Sequence, residues 1–236
     1  MVISDRDAAL PATDDGGMDA VVDAIRAAGG QASACLCDVG DRVQVAALAD
    51  HAVATHGGID IWVNNAGIGN IMKPLLEVEP CDWQAVIDVN LTGSFHGLRV
   101  AAARMIDQGR GGRIINIASQ AAKSRFPFAQ AYCASKHGLV GLVGSAEIEL
   151  GPYATIVNNV CPNHVTTGLG AWQNDYFAAK TGRSVAQYRA DMAARTPLGR
   201  PGQTQDTATA VAFLASDAAR YITAESLTVS GSEEPH

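Results

Sequence analysis

Tyr132 and Lys136 stand four residues apart in the run Tyr132-Cys133-Ala134-Ser135-Lys136. At helical pitch this spacing puts a phenol and an ammonium on one face, near enough to act together. A phenol with a pKa of about 10 is a poor acid or base at neutral pH, but a neighbouring ammonium stabilises the phenolate and brings it toward the working range. Proton exchange with an alcohol or carbonyl oxygen then becomes feasible. A Tyr-x-x-x-Lys pair on its own is more often a packing aromatic beside a solvated lysine.

Here the pair has company. Ser119 closes the apolar run Arg113 to Ala118, and in open α/β sheets functional groups gather at such strand ends. Asn64-Asn65-Ala66-Gly67 closes the run Ile59 to Val63, where Gly67 lets the backbone approach a ligand closely. Asn90 sits in Asp88-Val89-Asn90, inside a long helical pattern. Singly, the serine reads as a backbone-bonded hydroxyl and the asparagine as a helix-interior amide; their joint placement with Tyr132 and Lys136 favours catalysis.

The elements that must position these groups alternate along the chain. Strands are expected at Val2 to Ser4, Gln31 to Val39, Ile59 to Val63, Arg113 to Ala118, Ala154 to Val160 and Ser226 to Val229. Helices are expected at Met18 to Ala28, Val43 to Thr55, Asp82 to Asp107, Ala131 to Glu149 and Thr204 to Ser216. Such alternation predicts an α/β fold, a Rossmann-like doubly wound parallel sheet with helices on both faces, as one domain over 1–236. The stretch from Pro162 to Pro197 reads as irregular, with Trp172, Gln173, Asn174, Tyr176, Phe177 and Tyr188, and about 168–197 is a candidate substrate lid.

Bulk properties narrow the partners. With 236 residues, 47% hydrophobic and 17% charged, the chain can bury one substantial core. A net charge of −7 argues against nucleic acid, whose binding rests on clustered Lys and Arg. No apolar run reaches about 18 residues, so no membrane partner is expected, and the opening residues lack a signal-peptide layout, which points to the cytoplasm. Five cysteines without paired CxxC spacing read as reduced thiols, and no metal site is expected.

Asn64 to Gly67, Asn90, Ser119, Tyr132 and Lys136, in this order along the chain, resemble the short-chain dehydrogenase/reductase family, over Met1 to about Gly231. The resemblance implies reversible alcohol–carbonyl hydride transfer. Tyr132 would be the general acid/base, Ser119 would orient the substrate oxygen, and Lys136 would bind the nicotinamide ribose and lower the tyrosine pKa. Asn90 would hold a water in the proton relay. For the cofactor, Asp38 and Val39 would lie beside the adenine, Asn65, Ala66 and Gly67 would line the adenosine ribose, and Val165 and Thr167 would contact the carboxamide. Asp5, at the end of a strand, would accept hydrogen bonds from ribose hydroxyls and repel a 2′-phosphate, favouring NAD over NADP.

The sequence also departs from the family pattern. Asn163 stands where a glycine is usual, an exchange that asparagine's tolerance of left-handed backbone would accommodate. Ala224, Ser230 and Ser232 replace the usual Gly, Asp and Gly. His164 is left outside catalysis. The family's opening strand and Thr-Gly-x-x-x-Gly-x-Gly turn have no counterpart before Asp5, so the fold is expected N-terminally truncated, its first strand and helix absent. The strands at Val2 and Cys35 would then lack their neighbour, and dinucleotide would bind weakly. Among relatives the look is nearest to polyol, sugar-alcohol and acetoin/butanediol dehydrogenases, which implies a small alcohol or ketone substrate and a homo-oligomer, dimer or tetramer, built through the two long helices. A catalytically impaired fragment or interaction subunit, and an epimerase- or dehydratase-like enzyme sharing Tyr-x-x-x-Lys, remain alternatives.

Overall fold

Short apolar runs become strands and the amphipathic stretches between them become helices in the computed structural model, which describes residues 1–7, 16–166 and 168–233. The first half runs β1 (Val2–Asp5), α1 (Gly17–Ala27), β2 (Ser33–Leu36), α2 (Arg42–His56), β3 (Ile61–Asn64), α3 (Pro80–Ile87) and α4 (Gly93–Gln108). The second half runs β4 (Gly112–Ile117), α5 (Gln130–Leu150), β5 (Thr155–Pro162), α6 (Leu169–Lys180), α7 (Val185–Arg195), α8 (Thr204–Ala215) and β6 (Ser226–Val229). Every strand pair is parallel. Parallel strands need covered faces, and the alternation of side chains supplies both. Ile114 and Val157 point into a core with Leu98, Ala101 and Met105 of α4 and Val143 of α5. Their neighbours Ile115 and Val160 point the other way, against Leu214 of α8. This is the doubly wound, Rossmann-like arrangement expected from the sequence.

Among the described residues the strands form two sheets, β1-β2 and β3-β4-β5-β6. The strand at Cys35 does keep a partner, since β2 pairs with β1 from Val2↔Ser33 to Asp5↔Leu36. The interruption lies between β1 and β3, where Ile61 and Val63 of β3 are 50% and 40% exposed. The two sheets still share one core: Val2, Cys35, Trp62 and Val100 all pack on Cys37, Val45 and Leu48.

Two segments differ from the sequence expectation. The helix expected from Asp82 to Asp107 is broken by a π-helical turn, Asp88–Thr92, which places Asn90. The stretch expected to be irregular holds α6 and α7. Aromatic contacts run along α6 and across to α7: within α6 Trp172 stacks on Tyr176 at 5.4 Å and Tyr176 meets Phe177 edge-on at 5.3 Å, and Phe177 stacks on Tyr188 of α7 at 6.2 Å. Each such pair adds about 0.5–1.5 kcal/mol beyond area burial, which makes up for a weak helical period. A capping box from Ser184 to Gln187 starts α7 and was readable as Ser-x-x-Gln.

A row of polar side chains crosses the larger sheet. Asn64, Asn116, Asn159 and Ser226 stand opposite one another in register on β3, β4, β5 and β6. Asn64 Nδ2 donates to Asn116 Oδ1 at 2.8 Å, Asn116 Nδ2 to Asn159 Oδ1 at 3.2 Å, and Asn159 Nδ2 to Ser226 Oγ at 3.0 Å. Trp62 Nε1 caps the row by donating to Asn64 Oδ1 at 2.7 Å. Asn116 and Asn159 are fully buried, a position tolerable only because their amides are bonded.

Backbone conformation accounts for two family departures and corrects a third. Ala224 (φ 60) and Ser232 (φ 69) occupy left-handed positions, where glycine carries no Cβ penalty. Asn163 is not among the positive-φ residues, so its tolerance of left-handed backbone is not what allows it there. Its side chain has a partner instead, Glu233, at 2.6 Å.

Candidate active site

The end of β4 and the start of α5 bring the sequence-selected hydroxyls together. Ser119 lies just past β4 in extended conformation, and its hydroxyl accepts from Ala121 N at 3.1 Å, starting a short 3-10 turn. Tyr132 sits in the first turn of α5, and its hydroxyl is hydrogen-bonded to Ser119. Lys136 follows one turn later, 4% exposed, with Nζ donating to Ile117 O at 2.7 Å and lying 5.6 Å from the Tyr132 ring centroid.

Burial raises the Tyr132 phenol above its ordinary value, and the Ser119 hydrogen bond pulls it partly back. Burial lowers Lys136 to about 8. The sequence expectation that the ammonium brings the phenol down is not met in this geometry: burial sets the direction of the shift, and Nζ is directed at the Ile117 carbonyl.

Asn90 is fully buried in the π-helical turn. Its Oδ1 accepts from Ile68 N at 2.8 Å, while Nδ2 donates to Ile68 O at 2.8 Å and Ser135 Oγ at 3.2 Å. Both amide hydrogens are thus used within the protein, and the side chain clamps the loop after β3 onto α5. That loop carries Asn65, Ala66 and Gly67, all exposed. A Cβ on Gly67 would lie 3.3 Å from Asn90 Oδ1 and 3.6 Å from Lys136 Nζ, so its absence leaves a backbone-lined cradle over the lysine. Gly69 was not singled out in sequence, yet a Cβ there would come within 2.9 Å of the Tyr132 ring.

Ser119 and Tyr132 open into a pocket of about 480 Å³, counting its solvent-open part. Its walls are Met72, Ala121, Phe126, Ala129, Pro162, Asn163 and His164, and Gln173, Asn174, Phe177 and Tyr188 from α6 and α7 cover it. The lid expectation thus falls on residues that line the pocket. Phe126 and Met72 were missed. The one signal for the first was the pair Phe126 and Phe128 between the two hydroxyl residues, and Phe128 holds a left-handed φ of 66 that is rare for a bulky residue.

The remaining expected cofactor residues lie apart from this cluster. Asp5 ends β1; Asp38 lies two residues beyond β2, with Oδ1 accepting from Gly40 N at 2.9 Å. Val39 joins this end to the larger sheet's helices through its carbonyl, 3.2 Å from His96 Nδ1, and through contact with Gly93 of α4. Val165 forms a parallel bridge with Gly202. Thr167 lies outside the described residues.

Fold and site geometry together define a dinucleotide-type oxidoreductase domain, and comparisons agree. Residues 3–231 match the family model described as Enoyl-(Acyl carrier protein) reductase. The chain is 37% identical over 219 residues to 3beta-hydroxysteroid dehydrogenase 1 of Eggerthella lenta, covering 93% of this chain and 80% of the relative. It is 36% identical over 194 residues to L-2,3-butanediol dehydrogenase of Corynebacterium glutamicum, covering 82% and 75%. The crystal structure of levodione reductase superposes with a TM-score of 0.86 at 26% identity, over 98% of this chain and 86% of that one. The chain belongs to the short-chain dehydrogenase/reductase family. It is an oxidoreductase of the short-chain alcohol dehydrogenase/reductase type, a class that uses a nicotinamide cofactor, NAD or NADP.

Proposed function

We propose that this protein interconverts a small secondary alcohol, of the polyol or sugar-alcohol kind, and its ketone with NAD, and that Tyr132 is its general acid/base. The observation that carries this reading is the Ser119–Tyr132 hydroxyl pair on the pocket wall with a buried ammonium behind it. Ser119 hydrogen-bonds and orients the substrate oxygen, and Tyr132 exchanges the proton with that oxygen. When bound, the cofactor supplies or accepts hydride at the adjacent carbon. Lys136 and the cradle at Gly67 would hold its ribose: of three N–H groups on Nζ, one is directed at Ile117, which leaves donors for ribose hydroxyls. Asn90 supports them as a positioning residue by fixing Ile68 and Ser135. Val165 and Thr167 would contact the carboxamide.

The preference for NAD rests on charge. Asp5 and Asp38 set carboxylates at neighbouring strand ends, and the nearby Arg6 is paired with Asp7 at 3.5 Å, so a 2′-phosphate would meet net negative charge. Asn65, Ala66 and Gly67 would lie along the adenosine ribose and Val39 beside the adenine. A hydroxylated substrate suits a pocket in which Gln173, Asn174, Asn163 and His164 face the walls of Phe126 and Phe177, because sites built to hydrogen-bond a hydroxyl reject analogues lacking it. The exposed Phe95 on α4 and Ile148 on α5 suit a homo-oligomer formed through those helices.

Calorimetry with NAD and NADP, followed by an alcohol and ketone panel read by nicotinamide absorbance, tests the proposal. NAD binding, with turnover of vicinal diols above simple monoalcohols, supports it. The interruption between β1 and β3 favours one second reading, a catalytically impaired member acting as an interaction subunit. Binding of neither dinucleotide would replace the first reading by the second.

A further inference from the structure

The tail beyond β6 turns back toward the pocket. Gly231 (φ 62) and Ser232 (φ 69) take left-handed conformations, the second without glycine's freedom, so contacts further along must hold the turn. Glu233 supplies them. Its side chain is only 12% exposed, and a carboxylate that withdrawn from water needs donors. Oε2 accepts from Asn163 Nδ2 at 2.6 Å and stands 3.7 Å from His164 Nε2; Oε1 accepts from Arg195 Nε at 3.0 Å. Asn163 and His164 are pocket wall, whereas Arg195 is the last residue of α7, the helix that brings Tyr188 over the pocket. Gly231 packs closely on Thr196, directly after that arginine.

We infer that Glu233 is a positioning residue: one carboxylate ties the pocket wall at Asn163–His164 to the end of lid helix α7, setting how closed the substrate pocket is. This also gives the side chain at position 163 a role, as donor to the tail. The inference rests on reading this pocket as the substrate site, but its first test does not need turnover.

Glu233→Ala and Glu233→Gln in the full chain are digested with trypsin under native conditions, and cut sites are mapped by mass spectrometry. Glu233→Ala should raise cutting at Arg183 and Arg189 about tenfold, equivalent to ~1.4 kcal/mol of lid-closing free energy. Cutting at Arg99 and the urea midpoint should stay as in the parent. Glu233→Gln, which keeps an acceptor for Asn163 but loses the charge facing Arg195, should fall between. Arg195→Met should reproduce the effect and add little to Glu233→Ala, because both break one contact set. With a ketone that is turned over, KM should rise while kcat holds. Unchanged lid cutting in Glu233→Ala, or faster cutting across the whole chain with lost stability, overturns the inference. Absent turnover with lid-specific cutting retained would count against the enzymatic reading and leave the latch standing.

Discussion

Replacing Lys136 by methionine should make the protein more stable at neutral pH while abolishing turnover. The lysine is 4% exposed and its pKa is lowered by burial from 10.5 to about 8, which corresponds to a cost of about 3 kcal/mol for holding the charged form in the fold at pH 7. Methionine removes that cost and keeps most of the volume. Against this, Ile117 O loses its donor, a penalty of ~1–2 kcal/mol. The net expectation is a gain of about 1–2 kcal/mol at pH 7, read from urea unfolding at constant m-value. Below pH 8 the folded protein keeps the proton at a cost that unfolding relieves. As pH rises through 8 the folded lysine releases it, while the unfolded one holds it to 10.5, so parent stability climbs across that window. The variant's advantage should therefore shrink by about 1 kcal/mol between pH 7 and 9. A Lys136→Met protein less stable than its parent at pH 7, or a gap that does not change with pH, would refute the assignment of a buried, strained charge.

Tyr132→Phe should cut turnover by about 10²–10⁴ while calorimetry shows dinucleotide affinity retained, as removal of a proton-transfer group does. Gly97→Ala should destabilise by ~1–3 kcal/mol despite alanine's helix propensity, because its Cβ would collide with Asn64 Oδ1 and come within 2.6 Å of Trp62 Nε1. Gly141→Ala on α5 meets nothing within 4 Å and should instead stabilise by up to ~1 kcal/mol, so urea midpoints of the two should move in opposite directions. Ala224→Gly should raise the thermal midpoint, since Ala224 holds a left-handed φ of 60 at a cost of ~1–2 kcal/mol.

What could be read from sequence was whatever depends on local periodicity. The strands at Val2, Arg113 and Ser226 appear within a residue or two of expectation because an apolar run bounded by turn residues leaves few choices. The Ser119, Tyr132 and Lys136 grouping was legible because its spacing is fixed by one strand end and one helix. The π-helical turn at Asp88–Thr92 was not, because such turns are rare and the residue types Asp-Val-Asn-Leu-Thr do not set it apart from ordinary α-helix. The helices α6 and α7 escaped because stacked aromatics, not an apolar stripe, hold them together. Long-range polar pairs were out of reach: nothing in the sequence tells Asn163 that its partner is Glu233, or Asn90 that it will clamp Ile68. The direction of the Tyr132 shift also depended on burial, a property of the packed molecule.

The amide row across β3 to β6 behaves as a common baseline. Side chains on a strand alternate, so sliding any one of the four by a single residue would turn its rung onto the opposite face, among Ile115, Val160 and Leu214, and strand its neighbours' hydrogen bonds. Only one alignment lets all the rungs meet. The segments that carry the candidate site residues leave the sheet just beyond that line: Asn65 one residue past Asn64, Ser119 three past Asn116, and Asn163 four past Asn159. Their relative heights are therefore levelled by buried amides one layer below the chemistry, and an enzyme engineer who wishes to move one active-site loop along the sheet axis must first re-index the strand that carries it.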